Sequence, residues 1–201
     1  KHMIAVFDNF IKDQSLLDEI KKDKTFFDDP GVYKYWKGWW TNDPCNIQQK
    51  LAKYIFSDNV PVALNLQIDG FEYWTGIQEA VGNHKEGVVF KDNLEMHFDD
   101  DVAYRNENKD YDGIPLKPVL GCVYYPEGFN FVGGDLLIYT DGTDKSPEVI
   151  KTKPNRLVIF NPGDVAHCVS PVTEGRRGAI AINLWENEPW SVANGFIKLE
   201  E

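Results

Sequence analysis

Four residues of this chain have the types and spacing to do chemistry. They are His97 and Asp99 in LEMHFDDD, and His167 and Arg177 in HCVSPVTEGRR. Two imidazoles and one carboxylate are the ligand set of a non-haem Fe(II) centre, which leaves one face of the metal open for a cosubstrate and oxygen. Arg177 could hold the far carboxylate of a keto-acid, because a guanidinium pairs a carboxylate bidentately and a lysine cannot. This set points to an oxygenase more firmly than to any substrate.

Strand periodicity decides which side chains could meet. His97 and Asp99 stand at i and i+2, so on a strand both point to one side and Phe98 points to the other. The pair alone is weak, because four histidines among 32 acidic residues generate such spacings by chance. His167 follows NRLVIFNPGDVA, a strand and a turn, and opens HCVSPV, another strand. That turn could bring the second strand back beside the first. Alternation points Cys168 away from His167. His84 falls in a loop and reads as structural or surface. Further on, Arg177, Ala179, Ala181 and Asn183 share one strand face, small and polar enough for a cavity holding an anion. Ile180, Ile182 and Leu184 share the other face with Arg176 and Gly178, a set suited to packing under helices.

The elements that must position these residues fall into two groups. After a β-like start at MIAVFDNFI, Asp13 or Ser15 caps a helix through QSLLDEIKKDK, with Leu16, Leu17 and Ile20 on one face. Asp29-Pro30-Gly31 is a turn. YKYWKGWW (33–40) reads as a strand or rim against the core, or as a wall of the substrate entrance. Pro44 to Phe56 reads as a second helix. Val60 to Thr75 is strand-rich, Asn83 to Asp92 a loop, and 100–113 a polar surface insertion. From Pro115 on come short strands split by turns: PVLGCVYYP, GGDLLIYT, PEVIKT, NRLVIFNPG, HCVSPV and GAIAINLW. That pattern implies a sandwich or barrel, braced on one sheet by the early helices. Nothing marks a domain boundary, so a single domain over 1–201 is expected, with helical support mainly in 1–60 and the β core mainly in 61–190.

Composition excludes several classes. With 201 residues and 42 % apolar content, the chain can bury a core and is too apolar for disorder. No apolar run is long enough to span a bilayer, and no secretory signal pattern is seen. Three scattered cysteines without a CxxC argue against a disulfide scaffold and fit a reducing cytoplasm. A net charge of −11, with no basic cluster, disfavours nucleic acid as substrate. Asp99, Asp100 and Asp101 beside the candidate metal could instead attract a cationic substrate.

Together, HFD at 97–99, GGDLLIY at 133–139, RLVIFNPG at 156–163 and the string H-x-V-x-P-V-x-x-G-x-R from His167 to Arg177 resemble the Fe(II)- and 2-oxoglutarate-dependent oxygenases, specifically their prolyl 4-hydroxylase-like branch. The resemblance covers roughly residues 94–185, with weaker agreement at the N-terminus. It implies a mainly β fold with flanking helices, a double-stranded β-helix or jelly roll. It implies His97, Asp99 and His167 as iron ligands, and Arg177 as the partner of the 2-oxoglutarate C5 carboxylate. Tyr125 would support that carboxylate through its hydroxyl, with Tyr124 facing the opposite side. Leu136 would line the cosubstrate pocket. It also implies Fe(II), 2-oxoglutarate and O2, and makes a use for ascorbate plausible. The pattern departs in two places. A tyrosine usual about ten residues before HxD is obscured by GIQEAVGNHKEGVVFKDN, leaving Tyr73 or Trp74 as displaced counterparts, and the acidic stretch 100–113 is unusual.

Four readings follow from these features. The first is hydroxylation of a protein or peptide side chain, most plausibly prolyl. The second is hydroxylation of a free amino acid or small metabolite. The third is a metal-binding jelly roll without oxygenase activity, which would not need Arg177. The fourth, demethylation of alkylated nucleobases, fits the acidic charge least.

Overall fold

The computed structural model describes residues 2–38, 41–57, 67–83, 89–108 and 116–200. His84, Trp39 and Trp40 lie outside them, as do 60–66 of the expected strand-rich stretch.

Two β-sheets face each other. Their strands, in chain order, are β1 (Ala5–Phe7), β2 (Lys34–Lys37), β3 (Gly70–Glu79), β4 (Leu94–His97), β5 (Leu120–Tyr125), β6 (Phe131–Gly133), β7 (Leu136–Tyr139), β8 (Glu148–Ile150), β9 (Arg156–Phe160), β10 (Ala166–Val169), β11 (Val172–Trp185) and β12 (Lys198–Glu200). The helices are α1 (Gln14–Lys22), α2 (Ile47–Ser57), α3 (Val102–Glu107) and α4 (Trp190–Ala193). The major sheet runs β1-β9-β5-β11-β3-β2-β12, with β6 paired to β11, and the minor sheet runs β4-β10-β7-β8. Pairing is antiparallel throughout except between β12 and β2. This is the expected jelly roll with flanking helices.

The two faces of the major sheet are filled by strand alternation. Toward the helices, Phe71, Tyr124, Ile180, Ile182 and Leu184 pack with Leu16, Ile20, Leu51, Ile55 and Phe56. Toward the minor sheet, Tyr125, Val158, Phe160 and Ala179 pack with Leu136, Ile138 and Val165. Burying each large aliphatic residue contributes about 1.5–3 kcal/mol, so α2 is held by its apolar stripe rather than by helix propensity.

Local chemistry sets the element ends. Asp13 is the cap of α1, accepting from the Ser15 and Leu16 amides. Helix α2 starts at Ile47 rather than at Pro44, because the Asn46 carboxamide accepts from the Gln49 amide at 2.8 Å. HCVSPV is not one strand: β10 ends at Val169, and β11 begins after Pro171, which has no amide to continue a ladder. The acidic stretch 100–113, of which 109–113 lie outside the described residues, is at the surface but partly helical. Residues 102–107 form α3, capped by Asp101, whose side chain is buried and also accepts from the Ser191 amide of α4 at 2.9 Å. In the aromatic segment, Tyr35 and Trp36 are fully buried, as the core reading expects, while Tyr33 stays half exposed.

Candidate metal centre and cosubstrate pocket

The minor sheet brings the two histidines together. His97 of β4 and His167 of β10 are direct cross-strand partners, with ring centroids 4.3 Å apart. Asp99 lies just past β4, held there by its amide bond to the Pro162 carbonyl at 2.9 Å. Its Oδ1 stands 3.3 Å from Nε2 of each histidine. One ligand atom from each of the three lies within 4.8 Å of the others, and this is the metal-type cluster found among the described residues. Cys168 is not part of it.

The donor set fits a divalent transition metal. Nδ1 of His97 is 2.7 Å from the Glu95 carbonyl, and Nδ1 of His167 is 3.1 Å from the Val165 carbonyl. A carbonyl only accepts, so each Nδ1 carries a proton; each Nε2 faces Asp99 Oδ1, to which it donates without a metal, and a bound metal would take that proton's place on the Nε2 lone pair. Asp99 Oδ2 accepts from Asn183 Nδ2 at 2.8 Å. Burial pushes the Asp99 carboxyl up, but hydrogen bonds from His167, His97 and Asn183 outweigh it and hold the group well below the usual carboxylate range. Burial lowers the His97 pKa, and Asp99 with the Glu95 carbonyl raises it by more, to above its ordinary value.

A cavity of about 330 Å³ extends from this cluster into the jelly roll. Arg177, Ala179, Ala181 and Asn183, the face of β11 anticipated from alternation, all line it, and so does Leu136. The alanines leave room between the two polar ends. Arg177 is 3 % exposed and donates through Nε to the Gly134 carbonyl at 2.9 Å, through Nη1 to Gln78 Oε1 at 2.6 Å and through Nη2 to the Tyr125 hydroxyl at 3.4 Å. No carboxylate lies within ion-pair distance of it among the described residues. Burial, partly offset by Arg177, raises the Tyr125 pKa, so the phenol stays protonated. Tyr124 faces the helices and donates to Asn155 Oδ1 at 3.0 Å. Arg176 points out of the cavity and pairs with Glu79 at 3.1 Å.

The glycine pair before β7 makes this packing possible. Gly133 and Gly134 have φ of 84° and 69°. A Cβ on Gly134 would stand 2.7 Å from Arg177 Cδ. Only glycine lets the chain pass so close to the arginine.

Of the two displaced candidates upstream, Tyr73 turns into the helix-side core and accepts from Asn46 and Gln49. Trp74 lines the cavity and packs on Tyr33, ring centroids 4.6 Å apart. Sequence reasoning missed Gln78 and gave Asn183 no partner. Gln78 sits directly opposite Arg177 in the β3–β11 register, and the alternation Trp74, Gly76, Gln78 is the signal that could have found it.

Comparison with known proteins agrees with this geometry. Residues 88–185 match the family model described as the 2OG-Fe(II) oxygenase superfamily. A Pseudomonas putida prolyl-4-hydroxylase is similar in fold, with TM-score 0.58 and 18 % identity over 94 % of this chain and 90 % of that one. A Trichoplax adhaerens prolyl hydroxylase, solved with a hypoxia inducible factor peptide fragment, gives TM-score 0.55 and 16 % identity over 91 % and 83 % of the two chains. The viral collagen prolyl hydroxylase of Paramecium Bursaria Chlorella virus-1, as its 2OG complex, gives TM-score 0.53 and 14 % identity over 92 % and 96 %. No curated protein matches the chain by sequence. No helix among the described residues is long and apolar enough to cross a membrane. The matched segment carries the triad, the glycine pair and Arg177 alike, so this part of the chain is similar to the 2OG-Fe(II) oxygenase superfamily, and the whole is similar in fold to the prolyl 4-hydroxylases.

Proposed function

We propose that the protein is a 2-oxoglutarate-dependent hydroxylase acting on an unactivated C–H of a protein or peptide side chain, prolyl or other. His97, Asp99 and His167 would hold Fe(II). Bound there, the iron would supply the oxygen chemistry that no side chain can perform, with ascorbate as a reductant that keeps it ferrous. The remaining work falls to the chain. The two imidazoles present Nε2, Asn183 orients the Asp99 carboxylate, and the cavity wall excludes bulk water. Arg177 and the Tyr125 hydroxyl would bind the C5 carboxylate of 2-oxoglutarate, with Leu136 packing on its methylenes.

The observation that carries this reading is Arg177, a buried cation in the cavity that holds the triad, with no anionic partner among the described residues. A jelly roll that only bound metal would have no use for it, since an unpaired buried charge is costly. The peptide substrate is supported by the half-exposed Tyr33 and Trp74 at the cavity mouth, and by the peptide in the Trichoplax adhaerens complex. The three cysteines are free, which fits a reducing compartment.

The test is an anaerobic visible spectrum of the Fe(II) protein before and after 2-oxoglutarate. A charge-transfer band that appears with 2-oxoglutarate and vanishes in Asp99→Ala is expected. Iron bound without a band would return the lead to the non-oxygenase reading.

A further inference from the structure

The three consecutive aspartates have separate fates. Asp99 faces the metal site. Asp101 uses Oδ1 to accept from the Tyr104 amide at 3.0 Å and Oδ2 to accept from the Ser191 amide at 2.9 Å, so it is spent on joining α3 to α4. Asp100 is left over. Its Oδ2 lies 3.3 Å from an outer nitrogen of the exposed Arg105, but its Oδ1 is buried with no hydrogen-bond partner.

Asp100 lines a second cavity, of about 280 Å³, that shares Tyr33 as a wall with the metal cavity. Its lining includes the carboxyls of Asp100 and Glu72, beside Asp101 and Glu107, and the rings of Tyr33 and Phe196. Glu72 is only 5 % exposed and has no basic partner among the described residues. It shares Asn183 with Asp99, so one carboxamide ties the floor of this cavity to the metal site. A cavity with two under-compensated carboxyl groups and exposed aromatic faces matches one ligand chemistry. Carboxylates pair the donors of a guanidinium or ammonium, and ring faces attract the same cation.

We propose that this second cavity binds the cationic end of a basic side chain on the substrate, an arginine-type guanidinium or lysine-type ammonium, and so holds the substrate against the neighbouring metal site. The proposal rests on the hydroxylase reading above and names its substrate class. Asp100 and Glu72 act as specificity-determining residues, and Tyr33 separates the anchoring cation from the carbon to be oxidised. The arginine favours the site more than lysine does, because its planar head can stack on Phe196 or Tyr33 while both carboxylates accept from its edge.

The experiment is calorimetric titration of the anaerobic Fe(II)–2-oxoglutarate protein. The probes are free L-arginine, N-acetyl-arginine methylamide, a short proline peptide flanked by arginine, and the same three with citrulline, which keeps the shape without the charge. At least one arginine probe should bind, and its citrulline twin should bind at least about tenfold more weakly, the scale of one charge-assisted hydrogen bond. Binding of the free amino acid alone would mark a metabolite as the source, and binding of the blocked or peptide forms would mark a protein. Asp100→Asn and Glu72→Gln should each weaken the arginine probe by a similar factor. Equal affinity for arginine and citrulline probes, or no binding of either, would overturn the proposal without relying on any variant that must fold. The charge-transfer band recorded in the same sample keeps the two ideas apart. Arginine binding without the band would sink the hydroxylase reading alone, and the band without arginine binding would sink the cation site alone.

Discussion

Arg177→Met separates what the guanidinium does for the fold from what it does for 2-oxoglutarate. Methionine keeps most of the volume and removes the charge. In the ligand-free protein, arginine makes three hydrogen bonds, to Gly134, Gln78 and Tyr125, yet has no counter-ion among the described residues. Losing those bonds costs about 1–3 kcal/mol each at most, whereas relieving an unpaired buried charge returns several kcal/mol. The metal-loaded variant without cosubstrate should therefore melt no lower than the wild type by more than a few degrees. Removing the partner of a buried carboxylate costs roughly 3–5 kcal/mol, which is about a 10²- to 4 × 10³-fold loss of 2-oxoglutarate affinity. At a concentration about 100 times the wild-type dissociation constant, 2-oxoglutarate stabilises the wild type by about 2.7 kcal/mol, or about 5–10 °C for a chain of this size. In the variant the same concentration should give about 1 °C or less. Thermal scanning under argon with Zn(II) or Fe(II) in place measures both quantities. A variant that keeps the full shift would show that the C5 carboxylate binds elsewhere, and the argument from an unpaired charge would be wrong.

Other consequences can be checked separately. Asn183→Leu removes the hydrogen bond that orients Asp99 and should weaken metal affinity by about 10- to 100-fold, read by competition against a chelating dye. Gly134→Ala places a methyl against Arg177 Cδ at a φ of 69°, so the 2-oxoglutarate requirement should rise at least about tenfold with metal affinity unchanged. A parallel loss of metal binding would mean that the strain spreads through the minor sheet. Asn155→Ala strands the Ile11 amide and carbonyl and the Tyr124 hydroxyl, and should destabilise by about 2–4 kcal/mol in urea unfolding. A loss under 1 kcal/mol (roughly one solvated bond) would show that water takes over. Glu72 has a raised folded pKa, so its penalty is absent below the ordinary carboxyl range, grows as pH rises from that range toward the raised value, and levels off above it. Glu72→Gln should therefore leave the melting temperature nearly unchanged at about pH 4.5 and raise it at about pH 8.5, and equal shifts at both would refute the burial argument.

How far the sequence could be read depends on the range of the interactions involved. The face of β11 was legible because alternation is a local property, and Arg177, Ala179, Ala181 and Asn183 do line one cavity. His97, Asp99 and His167 could be named from spacing and motif, but the β4–β10 pairing that joins the histidines is a long-range contact between strands far apart in the chain. Gln78 was legible only as a position sharing the Trp74 face of β3, since its role comes from a partner 99 residues away. Helix α3 was missed for a similar reason. Its sequence has no apolar face, none of its residues is buried, and it is held by the Asp101 cap and by Tyr104 packing on Trp190. Tyr73 and Trp74 could not be told apart until β3 had a register, after which one belongs to the helix-side core and the other to the cavity.

The two histidines are aimed by the main chain. Each ring is anchored by the carbonyl two residues before it in its own chain, Glu95 for His97 and Val165 for His167. Main-chain carbonyls survive any side-chain replacement. Asp99 has no such insurance, because Asn183 orients it from the other sheet. Genetic drift in the pocket lining should thus leave the imidazole arms in place and fall on the carboxylate arm. The fold can change its clientele while the histidine half of the centre stays set, and a loss of iron by mutation should trace first to the neighbourhood of Asn183.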